Sequence, residues 1–188
     1  RSFFSDEHPK GQGAISANQL RKIINFIGRE NILSADEWMN RKLTDSLEEN
    51  QICLTFDDGL RCQYDIALPV LEDFGITAFW MVYSSSLLGT CERLELYRYY
   101  RTVKFSHTID FYENFYTTIK EDEVYKNVLE AIENFNPKSY LQEYSFYSDQ
   151  DREFRYIRDN VIDTQTYFKI MDKMLEDSGI KTEKLIKK

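Results

Sequence analysis

The sequence predicts an α/β fold, and three stretches carry that expectation. Residues 52–56, Ile-Cys-Leu-Thr-Phe, form an apolar, β-prone run that ends abruptly in Asp57, Asp58 and Gly59. Residues 67–75 follow with the apolar spacing of a short helix and close on Gly75. Residues 76–83 are a second apolar run, bounded by Ser84. Strand, helix and strand in that order make a parallel βαβ unit.

The flanking segments read as helices. Residues 1–13 are an irregular lead-in holding Phe3-Phe4, His8-Pro9 and Gly11-Gln12-Gly13. Ser16 followed by Gln19 is a capping box opening a helix through Gly28, with Leu20, Ile23, Ile24 and Ile27 on one face. Ser34 with Glu37 is a second box, with Trp38 and Leu43 as apolar anchors. After Tyr83, Ser84-Ser85-Ser86 and Gly89-Thr90 read as a loop, placed where a strand delivers substrate-facing residues. From about residue 92 onward the pattern is helical. Tyr97 and Tyr100 mark one segment, Phe111, Phe115 and Ile119 another, Val124, Val128 and Ile132 a third. Thr108 reads as an N-cap, and Asn136-Pro137 breaks the chain. Ser148 caps a helix carrying Phe154, Ile157 and Val161; Thr164 starts a last one ending near Gly179. The expected organisation is one domain: a helical cover over 1–48, a βαβ core over 49–90 and a helical insertion over 91–188.

Two carboxylates at the C-terminal end of a buried strand sit where parallel α/β folds put metal ligands and general bases. The chain bends there, so Asp57 and Asp58 can enter one mouth from different angles. Asp-Gly is equally a common turn signal with a solvated carboxylate.

Thr55-Phe56-Asp57-Asp58-Gly59 resembles the first motif of the polysaccharide deacetylases, carbohydrate esterase family four. The helix at 67–75 and the run Ile76-Thr77-Ala78-Phe79-Trp80 are similar to the elements that follow it in that family. The resemblance covers roughly residues 50–85. It implies a partial (β/α) barrel, with Asp57 as catalytic base and Asp58 as a ligand to zinc or a similar divalent metal. Such a metal lowers the pKa of bound water and polarises an acyl carbonyl, while a carboxylate takes the proton. The family's second motif, His-Ser/Thr-x-x-His, has no match. The only histidines are His8 and His107, and His107-Thr108-Ile109-Asp110-Phe111 has phenylalanine where the second ligand belongs. The family's Arg-Pro segment and Leu-x-x-His are also missing.

One aspartate does not hold a divalent metal, which needs at least three protein ligands. The sequence therefore predicts weak zinc binding by this chain, and reads as the N-terminal part of a deacetylase whose histidine-bearing strands lie beyond Lys188. A naturally short or degenerate relative is the alternative.

Charge narrows the partners. With 24 Lys+Arg against 32 Asp+Glu, the net charge is −8. Nucleic acid is disfavoured, and a neutral or amino sugar is compatible. No apolar run is long enough for a membrane span, and no signal-peptide pattern is present, which points to a cytoplasmic location. Cys53, Cys62 and Cys91 lack metal-type spacing and read as reduced, structural thiols. Aromatic residues at helical spacing read as core. Assembly of identical copies stays open.

Three functions follow. A metal-dependent deacetylase would remove N- or O-acetyl groups from a carbohydrate, with Asp57 as base and Asp58 as ligand. A non-catalytic relative would bind glycans or proteins through the same cleft. A Mg²⁺ phosphatase would want Asp-x-Asp, and adjacent aspartates argue against it.

Overall fold

A computed structural model of the protein describes residues 2–180. The α/β barrel expectation is not met. Of the described residues 57% are helical and 4% lie in strands, and the sheet has two parallel strands only. The chain divides into two compact units, the first ending at Glu92 and the second beginning at Arg93.

In unit 1, helix α1 (Ala17–Ile27) opens on a complete capping box: the Gln19 N–H donates to Ser16 Oγ, and the Ser16 N–H donates to Gln19 Oε1. These two bonds satisfy donors that the first helical turn leaves unpaired. Leu20 and Ile24 bury its inner face, while Ile23 is largely exposed, so the apolar stripe is narrower than its sequence suggests. Helix α2 (Ala35–Leu43) is capped by Ser34. Trp38 packs edge-on to Phe79, but Leu43 points to solvent and anchors nothing.

Strand β1 (Thr55–Phe56) pairs in parallel with β2 (Phe79–Trp80). The Phe79 N–H donates to the Leu54 carbonyl at 3.0 Å and the Met81 N–H to the Phe56 carbonyl at 2.7 Å. Between them a π-helical turn (Gln63–Ala67) runs into helix α3 (Leu68–Asp73). Pro69 has no N–H for the helical ladder, and the widened turn lies immediately before it. Ile66, Ala67, Val70 and Leu71 face Leu20, Ile24, Phe56 and Ile76 in one core.

The strands are short because the sheet has no further members among the described residues. Ile52 forms only an isolated bridge to Ile32, and Thr55 is exposed. Parallel strands are stable when neighbours pair both edges and helices cover both faces. An apolar run specifies where a strand begins, whereas its length depends on partners far away in sequence. Residues 84–87, expected as loop, form the one-turn helix α4 (Ser84–Leu87). The Ser85 hydroxyl donates to Glu92, which ties this turn to the end of the unit.

Unit 2 is helical throughout its regular structure: α5 (Arg93–Lys104), α6 (Thr108–Ile119), α7 (Tyr125–Glu133), α8 (Asp149–Tyr156) and α9 (Thr164–Asp177). Helix α6 packs on α8 and α9, and α5 packs on α9. Phe115 lies at the centre, fully buried, with ring contacts to Phe111, Tyr116, Phe154 and Tyr167. Tyrosine hydroxyls at the margin find acceptors. Tyr97 donates to Asp172 at 2.6 Å, Tyr100 to the Met174 carbonyl at 3.0 Å and Tyr112 to Asp151 at 2.5 Å. Burial, then the adjacent carboxylate, pushes the Tyr97 and Tyr112 hydroxyls far above their ordinary pKa, so both remain donors. At α6 the N-cap is His107, with Thr108 the first helical residue, one position earlier than the sequence predicts.

Candidate functional site

The acidic motif forms a tight turn at the C-terminal end of β1. Asp58 has φ +70° and Gly59 φ +60°, two consecutive left-handed residues, as in a type I′ turn. Aspartate tolerates this region better than most side chains, and glycine enters it without steric cost. Gly59 is required for a second reason. A Cβ there would stand 3.1 Å from Val82 Cγ1, so the turn lies directly against the chain leaving β2.

Buried Gln63 holds the turn from below. Its Nε2 donates to the Asp57 carbonyl at 2.7 Å, and its Oε1 accepts from the Leu60 N–H at 3.1 Å. Tyr83 holds it from the side, its hydroxyl donating to Asp58 Oδ1 at 2.9 Å. The Asp57 side-chain region is exposed and Asp58 is half-buried. Beyond the turn, Trp80, Met81, Val82 and Tyr83 are all exposed, and the Trp80 ring stacks on buried Phe56 with centroids 4.5 Å apart. The Asp58 carboxylate, a phenol and an aromatic strip thus meet at the ends of the two strands, with Asp57 adjacent in the turn.

Neither histidine joins them. His8 Nε2 lies 2.9 Å from Asp65 Oδ2, while Arg61 Nε donates to both oxygens of the same carboxylate at 2.8 Å. Arg61 first, then His8, hold the Asp65 carboxyl below its usual range. His107 caps α6 in unit 2. Among the described residues no group of three or more His, Cys, Asp or Glu side chains is placed to hold a metal ion. The donors present at the turn, one Asp58 carboxylate already hydrogen-bonded to a phenol, do not fit a resident divalent metal.

The cysteines are free thiols, and burial pushes all three up in pKa, away from thiolate character. Cys62 Sγ accepts a hydrogen bond from the Phe3 N–H, which fastens the lead-in segment to the core.

Sequence reasoning singled out Asp57 and Asp58 and missed Gln63 and Tyr83. Gln63 had a signal: it is the one amide on a helical face otherwise formed by Cys62, Ile66 and Ala67. Tyr83 had none, since its role depends on how β2 is placed beside the turn. Comparison with protein-family models, with curated proteins and with solved structures finds no match to this chain.

Proposed function

We propose that unit 1 binds carbohydrate at the turn formed by Asp57, Asp58 and Gly59, as a non-catalytic relative of the polysaccharide deacetylases it resembles in sequence. The observation that carries this reading is the Tyr83–Asp58 hydrogen bond, which sets a half-exposed aromatic ring against a carboxylate. Sugars offer hydroxyl donors and apolar C–H faces on the same ring, and a site matching both needs acceptors beside an aromatic surface. A carboxylate has about four lone-pair positions, so Asp58 can accept from Tyr83 and from a ligand hydroxyl together. The turn is pre-organised by Gln63, so little ordering is left to oppose binding. The net charge of −8 agrees with a neutral or amino sugar.

Calorimetric titration with an N-acetylated chito-oligosaccharide in excess EDTA tests it. Saturable binding, weakened about tenfold by Asp57→Ala or Tyr83→Ala, is expected, since each removes one or two polar or stacking contacts. No binding, or binding that both variants retain, contradicts the proposal.

Acetyl-group hydrolysis is a second reading, favoured by the run Thr55-Phe56-Asp57-Asp58-Gly59 itself. It would need further metal ligands from outside the described residues. Acetate release from the same oligosaccharide, dependent on added zinc and lost in Asp57→Ala, would select it.

A further inference from the structure

Strand β2 has one edge without a partner strand among the described residues. The ladder with β1 takes the N–H groups of Phe79 and Met81, which donate to the Leu54 and Phe56 carbonyls. Trp80, between them, therefore turns its own N–H and C=O to the opposite edge. An open edge is a template for another strand, and soluble proteins guard such edges with charged side chains or proline. Residues 74–91 contain no Asp, Glu, Lys, Arg or Pro, in a chain that is 30% charged. The edge is unguarded.

The side chains on this stretch are of the kind an interface buries. Trp80, Met81 and Val82 are exposed, and Leu87 and Leu88, at the end of the one-turn helix α4, are 81% and 85% exposed. Interface centres are poor in charge and rich in aromatic residues and methionine. These five side chains offer roughly 600 Å² of exposed surface per copy, against about 800 Å² per partner in a standard interface. That area suits a weak, reversible dimer and falls short of an obligate one. Two chains of net charge −8 repel each other over most of their surface. The uncharged stretch lets them meet without opposing like charges.

We propose that the chain pairs with a second copy of itself along the free edge of β2, antiparallel and with the two-fold axis at Trp80. The Trp80 N–H of each copy donates to the Trp80 carbonyl of the other, the closed hydrogen-bonded pair of an antiparallel ladder. Phe79 then lies opposite the second copy's Met81, a thioether against a ring. The two-stranded sheet becomes four-stranded, in the order β1-β2-β2-β1, and each β2 gains its second neighbour. The pairing uses no group of the acidic turn, where Asp58 and the Tyr83 hydroxyl are bonded to each other.

Sedimentation velocity of the full chain, at concentrations up to about 100 μM, tests the pairing. A monomer–dimer equilibrium in the micromolar range is expected. In this register Met81 stands diagonally from its own counterpart on one face of the paired strands, at about 7–8 Å. Met81→Lys and Met81→Glu each place like charges there, and each alone should weaken the dimer about tenfold or more. An equimolar mixture of the two variants should restore it, because opposite charges then face each other. An unaltered chain that stays monomeric at every concentration would overturn the proposal, whatever the folding of the variants, and would leave the edge to a different strand. A dimer that both variants retain, or one that the mixture fails to restore, would overturn the pairing at Trp80.

Discussion

Unit 2 buries aromatic rings from α5, α6, α8 and α9 around Phe115, whereas unit 1 buries mostly aliphatic side chains and leaves Trp80, Met81, Val82 and Tyr83 at the surface. The difference follows from how each element satisfies its backbone. A helix pairs its own N–H and C=O groups, so its side chains need only find a partner face. A strand leaves half of that work to its neighbours. Unit 2 is therefore a set of packed amphipathic helices. In unit 1 the ends of the two strands leave polar and apolar groups open together, and that place carries the acidic turn.

The largest effect expected from this contrast is at Phe115. Phe115→Ala removes a fully buried ring from the aromatic centre and should cost about 3–5 kcal/mol of stability. Trp80→Ala, at a 37% exposed position in unit 1, should cost well under half of that. Urea denaturation followed by circular dichroism measures both; equal losses would erase the comparison.

Asp151 comes next. It is 5% exposed and accepts both from Tyr112 and from the N-terminus of α8. Asp151→Ala leaves the buried Tyr112 hydroxyl without its acceptor and opens the capping box, a loss of about 2–3 kcal/mol. In unit 1, Gly59→Ala meets both a left-handed backbone and the Val82 contact, and should cost about 1–2 kcal/mol. Tryptophan fluorescence follows that variant well, because Trp38 and Trp80 both lie in unit 1.

The pH response of unit 2 involves Asp122 and Asp163, both held below the ordinary carboxylate range, and Asp122 also carries an ion pair. The Lys169 ammonium, then the Val124 N–H, hold the Asp122 carboxyl below its ordinary range. Its folded pKa is thus lower than its unfolded one. The stability it contributes is present above the ordinary carboxylate pKa and disappears as pH falls through the depressed value. Asp122→Asn should flatten the acid limb of a urea-midpoint profile by a small amount, since Lys169 is mostly exposed. The smallest effect concerns metal. Calorimetric titration with zinc should show no submicromolar site, because Asp58 has no second and third ligand among the described residues.

The helices were legible in sequence because their signals are local. Ser16 with Gln19, Ser148 with Asp151, and the spacing of Phe111, Phe115 and Ile119 state caps and buried faces within a few residues. The π-helical turns at Gln63–Ala67 and Ile157–Val161 were not legible, since a widened turn keeps nearly the same apolar period. The barrel was misread for a different reason. Residues 52–56 and 76–83 have strand composition, but composition is silent about how many neighbours a strand has, and here each pairs over two residues. At the site, Asp57, Asp58 and Gly59 could be picked out because a turn after an apolar run has a fixed spelling. Tyr83, twenty-five residues from Asp58, is joined to it only by the crossing of the chain through α3.

Trp80 offers the most direct measurement of the central claim, that the acidic turn and its aromatic strip form a metal-independent sugar site. Its ring is half-exposed and stacked on Phe56 beside the turn. Fluorescence of a Trp38→Phe variant, which leaves Trp80 as the reporter, is titrated with chito-oligosaccharide in EDTA. The account predicts a saturable change that disappears when Tyr83→Ala is added. A flat titration, or a saturable change indifferent to Tyr83, would contradict it.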